Sequence, residues 1–154
     1  MSDHFARGLR ALTVRQPWAH LIAHGGKTIE NRTRKTTYRG PVAVHAGKTL
    51  AVAEWEWARH HLGARAVPDR DRLALGAVVA VADLVDCHAA GWPSACGTEA
   101  CNTWGESHGD AWHWVLDDIR PLTAPVPAHG QLGLWTPDDN LTAAITAAMN
   151  HLEQ

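Results

Sequence analysis

The apolar run from Leu75 to Val85 (LGAVVAVADLV) constrains the fold more than any other part of the sequence. It is rich in valine, whose β-branched side chain favours a strand over a helix. Nowhere does the chain hold the roughly eighteen consecutive apolar residues that a membrane-spanning helix requires. We therefore predict a strand here, which is the strongest strand signal in the chain.

Shorter strands are predicted on both sides of this run, because apolar and polar residues alternate between turn signals. Pro121, Pro125 and Pro127 exclude a central strand between the last two of these predicted strands, Trp112–Leu116 and Gln131–Trp135. Proline has no backbone N–H to donate to a neighbouring strand. The predicted extended segments are Leu9–Val14, Thr28–Arg32, Pro41–Ala46, Trp112–Leu116 and Gln131–Trp135.

Three helices are predicted from their boundary residues. The first runs from Pro17 to His24 and ends at two glycines, and the second runs from a cap at Thr49 to His61 before Gly63. Asp138 caps the last helix. One stripe of this helix is apolar and comprises Leu141, Ile145, Ala148, Met149 and Leu152. Together these elements predict an α+β fold: a barrel or strongly curved sheet with helices packed at its ends and a C-terminal helix.

The composition is that of one globular domain, with 154 residues, 45% hydrophobic and 19% charged. The net charge of −2 does not favour binding of nucleic acid. The segment from Lys27 to Arg39, however, contains five basic residues and a single acid, Glu30. The 8 tryptophans suit a core or a base-stacking platform equally well. An odd number of cysteines, 3, and an N-terminus without an apolar stretch predict a cytoplasmic protein.

The segment from Cys87 to Asp110 has no hydrophobic periodicity, so we expect an irregular loop there. It and its flank contain six residues of types that bind zinc, but their spacing matches no C-x₂-C template. We therefore expect neither zinc nor any other cofactor. The six residues are Cys87, His88, Cys96, Cys101, His108 and His113.

An ordered set of short motifs runs through most of residues 9–137. Its pieces are Gln16-Pro17-Trp18-Ala19, Gly26-Lys27-x-x-Glu30-x-Arg32, Tyr38-Arg39-Gly40 and His45-Ala46, followed by Leu75–Cys87 and by W-x-W-V-L and G-x-L-G-L-W within Trp112–Trp135. This combination resembles the ASCH (activating signal cointegrator homology) domain, a branch of the PUA-like superfamily. The resemblance implies a PUA-like β-barrel over residues 9–137, with residues 138–154 as a helix packed on it or extending it.

The resemblance also implies a cleft beside the G-x-K-x-x-E-x-R segment that works on RNA or nucleotides. The candidate ligand-binding residues are Trp18, Lys27, Glu30, Arg32, Arg39 and His45, and Lys27, Glu30 and Tyr38 would be the catalytic residues of an enzyme. Each has a structural alternative: Trp18 in a core, Lys27 as a solvated residue of the turn after two glycines, Glu30 paired with Lys27 or Arg32, Tyr38 and Arg39 in a turn, and His45 hydrogen-bonded within a strand.

Three functions remain open. The first is binding of RNA or a modified nucleotide in a basic cleft, with tryptophan or tyrosine stacking on a base and cations holding phosphates. The second is hydrolysis of RNA or of an acylated nucleoside, with Lys27 and Glu30 as acid–base residues. An amidohydrolase branch that the chain resembles uses a K-x-x-T motif, and here Glu30 replaces the threonine. The third is a protein-interaction domain, for which an exposed apolar stripe on the last helix would be the sign.

Overall fold

The computed structural model describes residues 5–6, 8–91, 97–107 and 109–151. The strands are β1 (Arg10–Gln16), β2 (Ile29–Arg32), β3 (Gly40–Leu50), β4 (Ala77–Ala89), β5 (Trp112–Pro127) and β6 (Leu134–Trp135). The helices are α1 (Trp18–His24), α2 (Val52–Leu62), α3 (Glu99–Trp104) and α4 (Asp139–Asn150), with a 3₁₀ turn at Arg70–Arg72.

The strands form one curled half-barrel sheet in the order β2-β5-β4-β3-β1-β6. Among the described strands, β1 and β3 pair in parallel and the other pairs are antiparallel. The pairing of β4 with β5 shifts register at three places, and such bulges bend a strand and increase its twist. The α+β fold with a curved sheet is therefore confirmed, and its sheet is an open half-barrel.

The two faces of the sheet are each covered by a helix. On β1 and β3, Leu12 and Val42 pack in a core with α1, whereas their neighbours Ala11 and Ala43 pack in a second core with α4. This division follows from the alternation of side chains along a strand. A third, small core of Leu21, Ala58 and Val67 joins α1 to α2.

The last helix has the predicted cap, and its predicted apolar stripe packs against the sheet. The Asp138 carboxylate accepts a hydrogen bond from the Leu141 N–H at 2.7 Å. Ile145 is fully buried, and Leu141, Ala148 and Met149 pack against the second core, whereas Leu152 lies outside the described residues. The described part of the stripe, from Leu141 to Met149, thus faces the sheet.

Prolines do not interrupt β5, which continues through Pro121, Pro125 and Pro127. Within the described chain, β2 pairs with β5 only as far as Val115, so the proline segment lies at an edge of the sheet. Its inner side pairs with β4, where Pro121 is opposite Ala80. An edge position needs no N–H on its outer side, and the prediction that the prolines exclude a strand in the sheet's interior is compatible with this arrangement.

Two other boundaries differ from the sequence prediction. Thr49 does not cap a helix, because β3 continues through Leu50 and α2 begins after Ala51 without a side-chain cap. The segment from Cys87 to Asp110 is not wholly irregular, since β4 runs on to Ala89 and α3 forms at Glu99–Trp104. Cys96 and His108 lie outside the described residues. Among the helices described, none combines the length and apolarity that crossing a bilayer would take.

Candidate functional site

A cleft of about 510 Å³ opens beside the first turn of α1. Residues of β1 and β2 line it, α1 and α2 form one side, and the end of α3 with the chain after it forms the other. Its lining comprises Thr13–Arg15, Trp18, Lys27, Glu30–Arg32, Glu54, Trp57, Leu62 and Thr103–Glu106. The structure thus brings together Trp18, Lys27, Glu30 and Arg32, which are four of the predicted site residues.

Lys27 enters the cleft because two glycines end α1. The N–H groups of Gly25 and Lys27 both donate to the Leu21 carbonyl, at 2.8 and 3.1 Å. A side chain at Gly25 would come within 2.6 Å of Leu21, and Gly26 has a φ of 76°, which favours glycine. The tight turn directs Lys27 inward, where it is only 3% exposed.

The buried ammonium group of Lys27 contacts a backbone carbonyl and an aromatic ring. Its Nζ donates to the Ile29 carbonyl and lies 5.9 Å from the centre of the Trp18 ring, within the range of a cation–π contact. Burial lowers the pKa of Lys27, and the nearby carboxylates of Glu30 and Glu106 offset this only in part. Lys27 is therefore poised to lose its proton more readily than an ordinary lysine.

Glu30 supplies a buried acceptor to the same cleft. It lies on β2 opposite Trp114 of β5 and is 7% exposed. Its Oε2 atom is buried and has no hydrogen-bond partner among the residues that the structure describes. A buried carboxylate oxygen without a donor is unfavourable, so this atom is available to a ligand that brings one.

Tryptophans form the sides of the cleft. The Trp18 ring nitrogen donates to Glu54 at 2.8 Å, and the other carboxylate oxygen of Glu54 accepts from Arg15 at 3.1 Å. Trp57 lies 6.2 Å from Trp18 between ring centres and is 53% exposed. Trp18 is thus both part of the packing and part of the cleft, whereas Trp57 lies at the rim, half exposed and with its ring stacked on that of His61 at 4.2 Å between ring centres.

The side of the cleft after α3 is held to β2 by one amide. The Asn31 side chain donates to the Trp104 carbonyl at 2.9 Å and accepts from the Glu106 N–H at 2.8 Å. Both ends of the amide are therefore used, which fixes the backbone of Trp104–Glu106 against the sheet.

Arg32 separates the cleft from a second concavity of about 570 Å³, which we call the basic groove. Its guanidinium donates to the Thr13 carbonyl at 3.2 Å and lies 5.8 Å from the Trp114 ring centre. The Trp114 ring nitrogen donates to the Arg34 carbonyl at 2.9 Å and so holds the neighbouring loop. The basic groove is lined by Arg32–Thr36, Trp114 and Leu132–Leu134.

The positive charge expected in the cleft lies mainly in the basic groove. The described lining of the cleft has three cations and three carboxylates: Arg15, Lys27 and Arg32 against Glu30, Glu54 and Glu106. The described lining of the basic groove has Arg32, Arg34 and Lys35 and no acidic residue. The cleft is thus suited to a polar group of low charge, and the groove to an anion.

Three other predicted site residues lie outside the lining of the cleft. The Tyr38 hydroxyl lies within hydrogen-bond distance of the Gly8 and Pro41 carbonyls, and burial raises the pKa of Tyr38. Arg39 is exposed and donates to the Thr36 and Tyr38 carbonyls.

His45 occupies the opposite face of β3 from Val44, as predicted. Its Nε2 donates to the Ala128 carbonyl at 2.8 Å, which leaves Nδ1 to accept from the Thr13 hydroxyl at 3.2 Å. The histidine is buried against Trp135, so its hydrogen bonds are structural.

Sequence reasoning did not find the contributions of α2 and the chain after α3. Glu54 and Trp57 are three residues apart and therefore share a face of α2, which was the one local signal available. Asn31 lies between the motif residues Glu30 and Arg32 on β2, whereas Trp104 and Glu106 have no local signal, because only the tertiary fold brings them to the cleft.

The chain is thus a curled sheet with helices on both faces and a cleft beside the turn after α1. The family model of the ASCH domain matches residues 12–123 of the sequence. The chain therefore belongs to the ASCH family. The family is generally linked to RNA binding.

The solved structures agree with this fold. The crystal structure of ASCH from Zymomonas mobilis has a TM-score of 0.54 at 15% identity, over 92% of this chain and 95% of that one. A tyrosine-to-phenylalanine mutant of the Zymomonas mobilis protein has the same TM-score at 16% identity, over 92% and 98% of the two chains. At such identities the likeness concerns the fold alone. No curated protein matches the sequence significantly.

Replacing Lys27 with methionine should change how stability depends on pH. Because burial lowers the pKa of Lys27 in the folded chain, the unfolded chain binds more protons at pH values between the folded and the ordinary lysine pKa. In that interval the free energy of unfolding rises with pH, and Lys27→Met removes this rise. Urea denaturation at several pH values between about 7 and 10, all below the ordinary pKa of lysine, measures how the free energy of unfolding changes with pH. Lys48→Met, at an exposed lysine, is the control. Parallel curves for wild type and Lys27→Met would mean that Lys27 titrates normally.

Proposed function

We propose that the cleft binds one base of a single-stranded or modified RNA, while the basic groove holds the adjacent phosphates. The observation that carries this proposal is the buried Oε2 of Glu30, which has no hydrogen-bond partner among the described residues, in the same cleft as the buried ammonium of Lys27. The edge of a nucleobase has both N–H donors and carbonyl or ring-nitrogen acceptors. Glu30 would accept from the base, and Lys27 would donate to it.

The volume and the charge of the cleft support a base rather than a phosphate in this position. About 510 Å³ lies within the range of small-molecule sites, and the tryptophan rim provides aromatic faces for stacking. The three cations of the lining are balanced by three carboxylates, which would repel a polyanion. A neutral base loses less on leaving water than a phosphate does.

The basic groove supports the second half of the proposal. Arg34 and Lys35 are exposed there, and Lys35 lies 5.9 Å from the Trp112 ring centre. Arg32 lines both concavities and would join the base to its phosphate. RNA fits this division better than a free nucleoside, because a nucleoside has nothing to place in the basic groove.

A second candidate, hydrolysis of RNA or of an acylated nucleoside, is favoured by one observation. The lowered pKa of Lys27 makes it a better base, and Glu30 has a carboxylate oxygen available to orient a water. Against it stands the identity of Glu30, where the amidohydrolase branch that this chain resembles has a threonine. Tyr38 takes no part in either proposal, because its hydroxyl contacts backbone carbonyls away from the cleft.

Trp57→Ala should weaken binding of short single-stranded RNA. Stacking of a base on an aromatic ring contributes about 1–3 kcal/mol, so the dissociation constant should rise roughly 5- to 150-fold. Fluorescence anisotropy with a panel of labelled oligonucleotides measures the change. Trp57 is half exposed, so its loss should leave the fold intact. Val52→Ala, on the same helix but outside the lining, should have no effect. Equal affinities of the two variants would contradict a base at this rim.

Lys35→Ala should reduce both the affinity for RNA and its dependence on salt. A lysine that neutralises one phosphate contributes about one unit to the slope of log affinity against log salt. The matched control is Lys48→Ala, which removes the same charge from an exposed position on β3 outside both concavities. Titrations at several salt concentrations separate the two variants. Indistinguishable slopes for both would mean that the basic groove does not contact phosphate.

Deacetylation of N4-acetylcytidine should be weak or absent. The chain has Glu30 where the K-x-x-T motif has threonine, so the hydroxyl that the resemblance implies as nucleophile is absent at this position. Chromatography of the nucleoside after incubation with wild type and Lys27→Ala tests this. Rapid turnover by wild type that Lys27→Ala abolishes would favour the hydrolase over the binding module.

A further inference from the structure

His88, Cys101 and His113 meet on one side of the sheet, although their spacing in the sequence matches no metal motif. Each offers one ligand atom, and the three atoms lie within 4.8 Å of one another. His88 Nε2 and Cys101 Sγ are already 3.4 Å apart. Zinc bonds of about 2.0–2.3 Å in a tetrahedron place neighbouring ligand atoms roughly 3.3–3.7 Å apart. A small contraction of the cluster would therefore enclose an ion.

Strand register and helix capping bring the three residues together. His88 of β4 is directly opposite His113 of β5, so their side chains share one face, and their ring centres are 5.2 Å apart. Cys101 lies in α3, where its N–H donates to the capping Thr98 hydroxyl at 3.1 Å. Neighbouring positions in two strands and a capped turn thus form the cluster.

Both histidines have the second hydrogen bond that metal-binding histidines typically make. His88 Nδ1 donates to Asp86 at 2.8 Å, which leaves the lone pair of Nε2 on the side of Cys101. His113 Nε2 lies 2.6 Å from the Glu106 carbonyl, to which it donates. Such partners orient the ring and raise its basicity as a ligand.

The backbone beside the cluster is shaped around the ring of His113. A side chain at Gly105 would come within 2.4 Å of the His113 ring, so only glycine allows this approach. Together with the bonds made by Asn31 and Glu106, it holds the segment Gly97–Ser107 against the sheet. The same segment contributes Thr103–Glu106 to the cleft.

We propose that His88, Cys101 and His113 bind a zinc ion that fixes the segment Gly97–Ser107, and with it one side of the cleft, to the sheet. Thiolate with imidazole is a ligand set that suits zinc, and hard cations such as Mg²⁺ or Ca²⁺ prefer oxygen. The three residues lie outside the described lining of the cleft, so the ion has a structural role. Three ligands leave one position of a tetrahedron for water or another group.

Metal titration of the untagged, full-length chain tests the site. After treatment with a chelator, the protein should take up one equivalent of Zn²⁺ in competition with a chromogenic chelator. One equivalent of Co²⁺ should give a thiolate-to-cobalt absorption band, which reports the cysteine ligand without any substitution. The absence of stoichiometric uptake or of this band would overturn the proposal.

Variants then assign the ligands. Cys101→Ser should weaken zinc binding by more than about 100-fold, and Asp86→Asn, at a half-exposed carboxylate, by about 10- to 100-fold. Cys87→Ser is the matched control, because Cys87 neighbours His88 but lies outside the cluster. Equal affinities of the Cys101→Ser and Cys87→Ser proteins would contradict the assignment. Should Cys101→Ser fail to fold, the cobalt band and Asp86→Asn still decide it.

Hydrogen exchange distinguishes a structural ion from an incidental one. Amides of Gly97–Ser107 should exchange faster after chelation and regain protection with Zn²⁺, while those of α4 should not change. Unchanged exchange in Gly97–Ser107 would overturn the structural role. None of these measurements uses RNA, so their failure leaves the proposed RNA binding intact.

Discussion

The pairing of β4 with β5 is the constraint on which the rest of the structure depends. β4 lies between β3 and β5, and the bulges along its pairing with β5 curl the sheet. The N-terminal part of β5 pairs with β2, and β2 places Glu30, Asn31 and Arg32 in the cleft. The same ladder sets His88 opposite His113. A slip of β5 by one residue in this register would turn His113, and with it the side chains on β2, to the opposite face from His88.

The cleft concentrates buried charge, which the fold tolerates only through specific contacts. Lys27 has a backbone carbonyl and an aromatic ring for its ammonium, and Glu30 retains one oxygen without a described partner. Burying such groups is unfavourable unless something compensates for the lost water. A ligand with a hydrogen-bond donor for Glu30 would supply part of that compensation. The burial of Glu30 would then be less unfavourable with the ligand bound than without it.

Local patterns predicted the elements and residues whose causes are local. The valine-rich β4, the glycine-ended α1 and the capped α4 all depend on neighbours in sequence, whereas the four motif residues of the cleft were predicted from the resemblance to the ASCH domain. Other features depend on distant partners. Whether the prolines of β5 are tolerated depends on where β2 stops, and the cluster of His88, Cys101 and His113 depends on strand register. The opposing carboxylates of Glu54 and Glu106 likewise reach the cleft from elements that no motif connects to it.

The Asn31 amide allows the cleft to be adjusted by a change of one functional group. Its nitrogen faces the Trp104 carbonyl and its oxygen faces the Glu106 N–H. Aspartate has the same shape, but it would set an anionic oxygen against the Trp104 carbonyl in place of a donor. The segment beside α3 would then be repelled at one end and held at the other. A lineage that exchanged these two residues could thus loosen the cleft while keeping every side chain proposed to touch the base.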